Sequence, residues 1–341
     1  LEIKFWKVGF VLRYKKFFRT ALIIVIVAVL GFYIRLDYFV ISPSRAVDLK
    51  DLISVENAAE RERGGIYLLT VTQQRASLLT AMYGYLHPHM DINPAERVIP
   101  ADMDEEEYRE LLAENMIESQ YLAQVVALRR AGLEVEIISD GVEVIGLFNN
   151  APAEDYIEEK DVIIAVDGDP VYLATEVPLL VQDRDPGSTV TLTIMRDNRE
   201  MVIAVPTGIH PDDEKMPFLG IYLQTLPWEP VVPLEVVMNT GRIGGPSAGL
   251  MFVLEILNQL LPEDITGGNN IAGTGTIDLN ENIGRVGGIA QKVIAAEKAG
   301  IGYFFIPDSN YEDAQGVVQK TELIPVSNLE EVLDYLDTIA N

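Results

Sequence analysis

Cysteine is absent from all 341 residues. That excludes disulfides, thiol nucleophiles and thiolate metal sites, and it suits a compartment on either side of a bacterial membrane. Histidine is nearly absent too: His87, His89 and His210 are the full set. No G-x-x-x-x-G-K-[ST] phosphate loop occurs, so ATP-driven work and a nucleotide cofactor are not expected of these residues. The Gly273-Thr-Gly275 and 284–288 segments lack the helix start that a nucleotide loop needs and read as turns. Basic residues are scarce outside the N-terminus. Six of the 26 (Lys4, Lys7, Arg13, Lys15, Lys16, Arg19) fall within residues 1–20, leaving 20 against 51 acidic residues afterwards. A body that acidic repels phosphate backbones, so nucleic acid is a poor partner. His87-Pro-His89 lacks a carboxylate or thiolate cluster to complete a metal site, and no metal is expected there.

What is present is enough for a folded protein, with 48% apolar and 23% charged residues. The length suggests two or three units at roughly 100–200 residues each. Residues 20–34 (TALIIVIVAVLGFYI) form a charge-free apolar run between Arg19 and Arg35. Snorkelling arginines and an aromatic belt at Tyr33, Tyr38 and Phe39 extend it to a single transmembrane helix over 20–36. The basic tail 1–19 stays cytoplasmic by the positive-inside bias, which places the acidic body outside the cell. A cleaved signal peptide would need small residues at its end, and RLDYFV supplies none. The chain starts at Leu1 instead of Met, so further residues are expected ahead of it.

Residues 40–130 read as a mixed α/β region packing with the domain at the C-terminal end. An extended piece at 66–71 is followed by a helix over 102–130, where Leu111, Leu112, Met116, Tyr121, Leu122, Val125 and Val126 recur at helical spacing behind an acidic first turn. From about residue 133 short strands follow at 135–138, 142–147, 162–166, 189–195 and 201–205, each bounded by Gly, Asp, Asn or Pro. The segment GLFNNAPAEDYIEEKDVIIAVDGDPV, with a tight turn at Asp167-Gly168, resembles the core of bacterial protease-associated PDZ domains. The resemblance covers 131–207. It implies capture of an extended peptide by strand addition, with a carboxylate-binding loop near 131–135. A β-module without ligand is the alternative. Residues 206–217 (PTGIHPDDEKMP) read as a linker.

Residues 231–261 run from an extended apolar piece through a Gly-rich loop into an apolar helix. Pro246 suits the first helical position, which leaves Ser247 in the first turn among unpaired N–H groups. The N–H of Ser247 with that of Gly244 or Gly245 could hold an oxyanion, whereas Pro246 has none to offer. Simple helix capping by this serine is the bland reading. Gly245-Pro-Ser247-Ala-Gly249 also fits G-x-S-x-G, but that class needs a histidine after the serine, and all three precede it. No serine begins S-x-x-K. A lysine base remains, and Lys292, in GGIAQKVIAAEKAG among Ile289, Val293, Ile294 and Ala295, stands where burial would depress its pKa.

The blocks IGGPSAG, IAGTGTIDLNENIGRVGGIAQKVIAA and IPDSN resemble the proteolytic domain of Lon proteases over residues 218–341. The resemblance implies a Ser–Lys dyad at Ser247 and Lys292, with Thr274 contacting the lysine. Where many ATP-dependent Lon enzymes carry an acid two residues before the Pro-Ser, this sequence has Gly244. The order of segments resembles membrane-anchored, PDZ-containing Lon-like serine proteases of Gram-positive bacteria. The expected architecture is an α/β (α+β) Lon-like domain plus a β-rich PDZ domain with one N-terminal transmembrane helix. The expected function is ATP-independent endopeptidase action on exported peptides or exposed segments of membrane and secreted proteins, without cofactor and with a homo-oligomer possible. A non-catalytic PDZ adaptor on a degenerate protease fold is the rival.

Overall fold

A computed structural model describes residues 19–340 except 23–24, 26–28, 30, 60–62, 101–102, 183 and 211–212. Its helices beyond the apolar segment are α1 (Leu78–Leu86), α2 (Glu105–Arg130), α3 (Glu176–Gln182), α4 (Gly249–Leu260), α5 (Ile289–Ala299), α6 (Tyr311–Gln315) and α7 (Leu329–Ala340). Contacts divide the chain into two units, one reaching Leu133 and resuming at Leu234, the other Glu134–Pro233.

The first unit is built on a six-stranded mixed sheet. Strands Glu322–Val326, Tyr303–Pro307, Asn270–Gly273 and Gly65–Ser77 run parallel, and Arg35–Asp48 and Asp91–Pro94 complete it antiparallel. Successive residues of a strand point to opposite faces, so a strand covered on both sides must be apolar throughout. Tyr303–Pro307 (YFFIP) does this: Phe305 enters the core under α4, and Phe304 and Ile306 enter the one under α5. Leu68 and Leu69, and Ile271 and Ala272, divide between the same two cores. α4 is the most enclosed helix, with eleven of its twelve residues buried. It packs against α2, whose N-cap Asp104 and Glu107 form a reciprocal capping box. At Gly273 a β-carbon would lie 2.7 Å from Met251 Sδ and 2.8 Å from the Phe305 carbonyl, so only glycine lets α4 sit this close to the sheet.

The second unit is a five-strand antiparallel path, Arg199–Pro206, Thr189–Arg196, Val162–Val166, Val142–Leu147 and Ile221–Thr225, with α3 beside it. Asp167 and Gly168 both have positive φ, 52° and 91°, as the tight turn requires.

Three boundaries differ from the sequence reading. Residues 206–217 are not a bare linker: Gly208–His210 pairs with Asp213–Phe218, and Ile221–Thr225 then joins Val142–Leu147 as an edge strand. Completing that sheet draws residues 218–233 into the second unit and moves the start of the proteolytic portion to Leu234. Arg35 and Leu36, read as the end of a membrane helix, are instead the first residues of the strand Arg35–Asp48, where Arg35 pairs with Ser77. The basic tail lies almost wholly outside the described residues, and the 20–36 segment does so in part, with helical backbone at 19–22, 25, 29 and 31–33. Among the described residues no helix is long and apolar enough to cross a membrane.

Candidate active site

Ser247, Thr274 and Lys292 meet at the carboxyl end of the central strand Asn270–Gly273. α4, on one face of the sheet, is preceded by Ser247; α5, on the other, carries Lys292 in its first turn; Thr274 leaves the strand between them. Lys292 Nζ lies 2.9 Å from Ser247 Oγ and 2.9 Å from Thr274 Oγ1. Thr274 Oγ1 donates its own proton to the Ser247 carbonyl at 2.9 Å, so toward the amine it can only accept. One amine N–H is thus tied to Thr274, which holds the nitrogen within reach of the serine hydroxyl. The Ser247 carbonyl also accepts from Gly275 N–H at 3.0 Å, fixing the nucleophile loop to the strand end.

Lys292 is 3% exposed and Thr274 1%, while Ser247 is half-buried at the floor of an open cleft. Burial disfavours the ammonium and pushes the amine down to about 8. At pH 7 roughly a tenth of it is then neutral, against less than about a thousandth for an ordinary lysine.

The nucleophile loop differs from the sequence reading in two ways. α4 begins at Gly249 with Ala248 as its N-cap, so Ser247 lies just ahead of the helix instead of in its first turn. The cause is the turn before it, closed by Gly249 N–H on the Pro246 carbonyl. Gly245, expected as an oxyanion donor, has φ of 88° and spends its N–H on the Leu112 carbonyl of α2 at 2.7 Å. Among the described residues the N–H groups of Ser247 and Gly244 have no partner and remain as donors. Gly244 itself lies against Leu112, where a β-carbon would meet that residue at 3.2 Å.

α2 contributes more than its sequence announced. Besides the Leu112 carbonyl, Ser119 Oγ donates to the Pro246 carbonyl at 3.2 Å, and Gln120 Nε2 donates to Thr240 Oγ1 at 3.0 Å. These partners are more than a hundred residues apart, and periodicity marks only the face of α2 they share. The cleft has a volume of about 680 Å³ and runs past Ile41, Arg45, Thr70, Tyr108, Arg242 and Ser247. Arg45, Arg242 and Lys292 are its charged residues, and no acid lines it among the described residues, although the chain is strongly acidic. Among those residues no group of three or more His, Asp or Glu could hold a metal ion.

A second concavity, of about 450 Å³, lies in the other unit between α3 and Ile221–Thr225. That strand pairs on one side with Val142–Leu147 and is the edge of its sheet. Phe148, Val177, Val181, Phe218 and Leu223 line the groove. In the loop expected near 131–135, the N–H groups of Ala131, Gly132 and Leu133 are spent on closing α2.

Comparison with known proteins matches residues 236–338 to the Lon protease (S16) C-terminal proteolytic domain and residues 130–207 to the PDZ domain. The Lon protease of Aster yellows witches'-broom phytoplasma is 35% identical over 96 residues, 27% of this chain and 12% of that protein. That of Clostridioides difficile is 36% identical over 94 residues, 26% of this chain and 12% of that protein. The chain therefore spans about an eighth of the length of these relatives. The PDZ domain of an SdrC-like protein from Listeria monocytogenes is 21% identical, covering 26% of this chain and 92% of that one at a TM-score of 0.24.

Proposed function

We propose that this chain, which carries a Lon-type proteolytic domain and a PDZ domain, is an ATP-independent serine endopeptidase acting through a Ser247–Lys292 dyad. The carrying observation is the buried amine 2.9 Å from the serine hydroxyl. Neutral Lys292 takes the proton of Ser247 as Oγ attacks the peptide carbonyl, and the N–H groups of Ser247 and Gly244 receive the oxyanion. The ammonium then returns that proton to the departing amine, leaving an acyl-serine. Lys292 next deprotonates the water that hydrolyses the ester. No phosphate loop lies within these residues, so the substrates are peptides or segments that need no unfolding.

The edge strand Ile221–Thr225 and α3 suit capture of an extended segment by strand addition. The apolar segment 20–34 serves as a single membrane anchor with the catalytic body outside the cell, supported by the basic residues that precede it.

A fluorophosphonate probe tests the chemistry directly. It is expected to label the wild-type chain on Ser247, located by peptide mass spectrometry, and labelling at another serine would refute the assignment. The pH profile of kcat/KM provides a second check. The base must be neutral to act, so the rate rises about tenfold per pH unit at low pH and levels off above about 8. A rise continuing to pH 10 would mean that the amine is not desolvated.

A further inference from the structure

We infer that α1 is a second membrane contact, its outward face lying in the headgroup boundary beside the N-terminal apolar segment. This rests on the anchored reading of that segment.

A helix on a protein surface normally turns its apolar stripe inward. α1 (LLTAMYGYL) does the reverse. Leu78, Leu79, Met82, Tyr83, Tyr85 and Leu86 share one face and are 38% to 86% exposed. The small residues Thr80, Ala81 and Gly84 face the sheet, where a β-carbon at Gly84 would already be 3.3 Å from Ile92 and 3.7 Å from Val40. Small inner residues seat the helix closely and leave every bulky one outside. None of the nine residues is charged, in a chain with 52 acids. An apolar groove of about 400 Å³ continues the face through Leu36, Tyr38, Met82, Tyr85, Leu86 and Ile92. Scattered exposed apolar residues are ordinary, but a continuous uncharged patch marks a contact surface.

The occupant is lipid because of what adjoins the patch. The apolar segment ends on it: a β-carbon at Gly31 would lie 3.2 Å from Leu79 Cγ and 3.9 Å from Leu78 Cδ2. Phe32, Tyr33 and Ile34, also exposed, extend the same surface. Tyrosines at 33, 38, 83 and 85 provide amphipathic rings suited to the water boundary. Charges begin only at the rim, where Arg75 pairs with Asp37 and Glu105. An uncharged apolar face with tyrosines at its edge, continuous with an apolar segment, suits the headgroup boundary.

The arrangement also sets a distance. The strand that starts at Arg35 beside the patch reaches the catalytic cleft at Ile41. Tyr38 in the groove and Ile41 in the cleft lie three residues apart on that strand, about 10 Å at ~3.3 Å each. The substrates favoured by that geometry are segments just outside the bilayer, on membrane proteins or on exported chains still close to it.

Because these 341 residues include no cysteine, single substitutions give unique labelling sites in this chain. Met82→Cys and Tyr85→Cys, labelled with an environment-sensitive nitrobenzoxadiazole dye in phosphatidylcholine vesicles, are expected to shift to the blue and lose most of their emission to brominated phosphatidylcholine. Val25→Cys reports on the anchor, and Lys298→Cys reports on water. Quenching at 25 but not at 82 or 85 would overturn the inference and leave the anchor standing. A dye at 82 shielded from aqueous iodide yet untouched by brominated lipid would mean a protein surface covers α1, which also overturns it. No quenching at any of the three sites would bring down the anchor and this inference together. Tyr85 is 86% exposed, so its replacement keeps the test valid if Met82→Cys folds poorly.

Discussion

Replacing Ser247 by Ala lowers peptide cleavage by on the order of 10⁴-fold or more, because the group that forms the covalent bond is gone and only binding and oxyanion contacts remain. Stability changes little. Ser247 is half-buried, and its side chain loses a single contact, that with Lys292 Nζ, while Thr274 still holds the amine. The expected cost is within about 1 kcal/mol. Product formation followed by mass spectrometry, alongside urea unfolding, separates the two effects. Wild-type turnover in Ser247→Ala would end the peptidase reading, and loss of activity with loss of folding would send the question to Ser247→Cys. That variant keeps the size and offers a thiol in the same place, so it folds and labels with a thiol reagent.

Lys292→Met produces a comparable loss of turnover together with an opposite change in stability. Burial brings the amine's pKa in the folded state down to about 8, against the 10.5 of a lysine in water. At pH 7 the folded protein therefore holds a charged group that it would be easier to hold neutral, and the unfolded chain binds more protons across the window from 8 to 10.5. Stability must rise with pH over that window. The depression is worth about 3 kcal/mol at most, and losing the contacts to Ser247 and Thr274 returns about 1–2 kcal/mol of it. Lys292→Met is thus inactive and more stable than wild type near pH 7, by on the order of 1 kcal/mol, and it lacks the wild-type gain between pH 8 and 10.5. Urea midpoints at four pH values measure both. A destabilised variant with the wild-type pH slope would show that burial does not strain the lysine.

The elements were largely legible because their signals are local. Bounding Gly, Asp, Asn and Pro marked the strands at Val142–Leu147 and Val162–Val166, and turn residues at 167–168 marked the reversal that follows. The acidic first turn of α2 was readable for the same reason, since capping involves residues three positions apart. The end of the second unit was not. Ile221–Thr225 belongs to a sheet through a partner some 80 positions earlier, and a polar, proline-bounded stretch before it reads locally as a linker.

The amino-acid order alone determined which side chains were available to do chemistry: no cysteine, no histidine after position 210, and one lysine set among apolar residues behind a Gly-rich serine loop. Those facts leave few nucleophile–base pairs, whatever the fold. Only the tertiary structure decided which backbone amides face the cleft, because Gly245 gives its N–H to Leu112 and the order of residues near 245 contains no trace of a helix 133 positions earlier. It also decided which way α1 points. Periodicity tells which residues share a face of a helix, but whether that face meets protein or solvent depends on what lies beside it, and here the sheet takes the small side and leaves the large one outside.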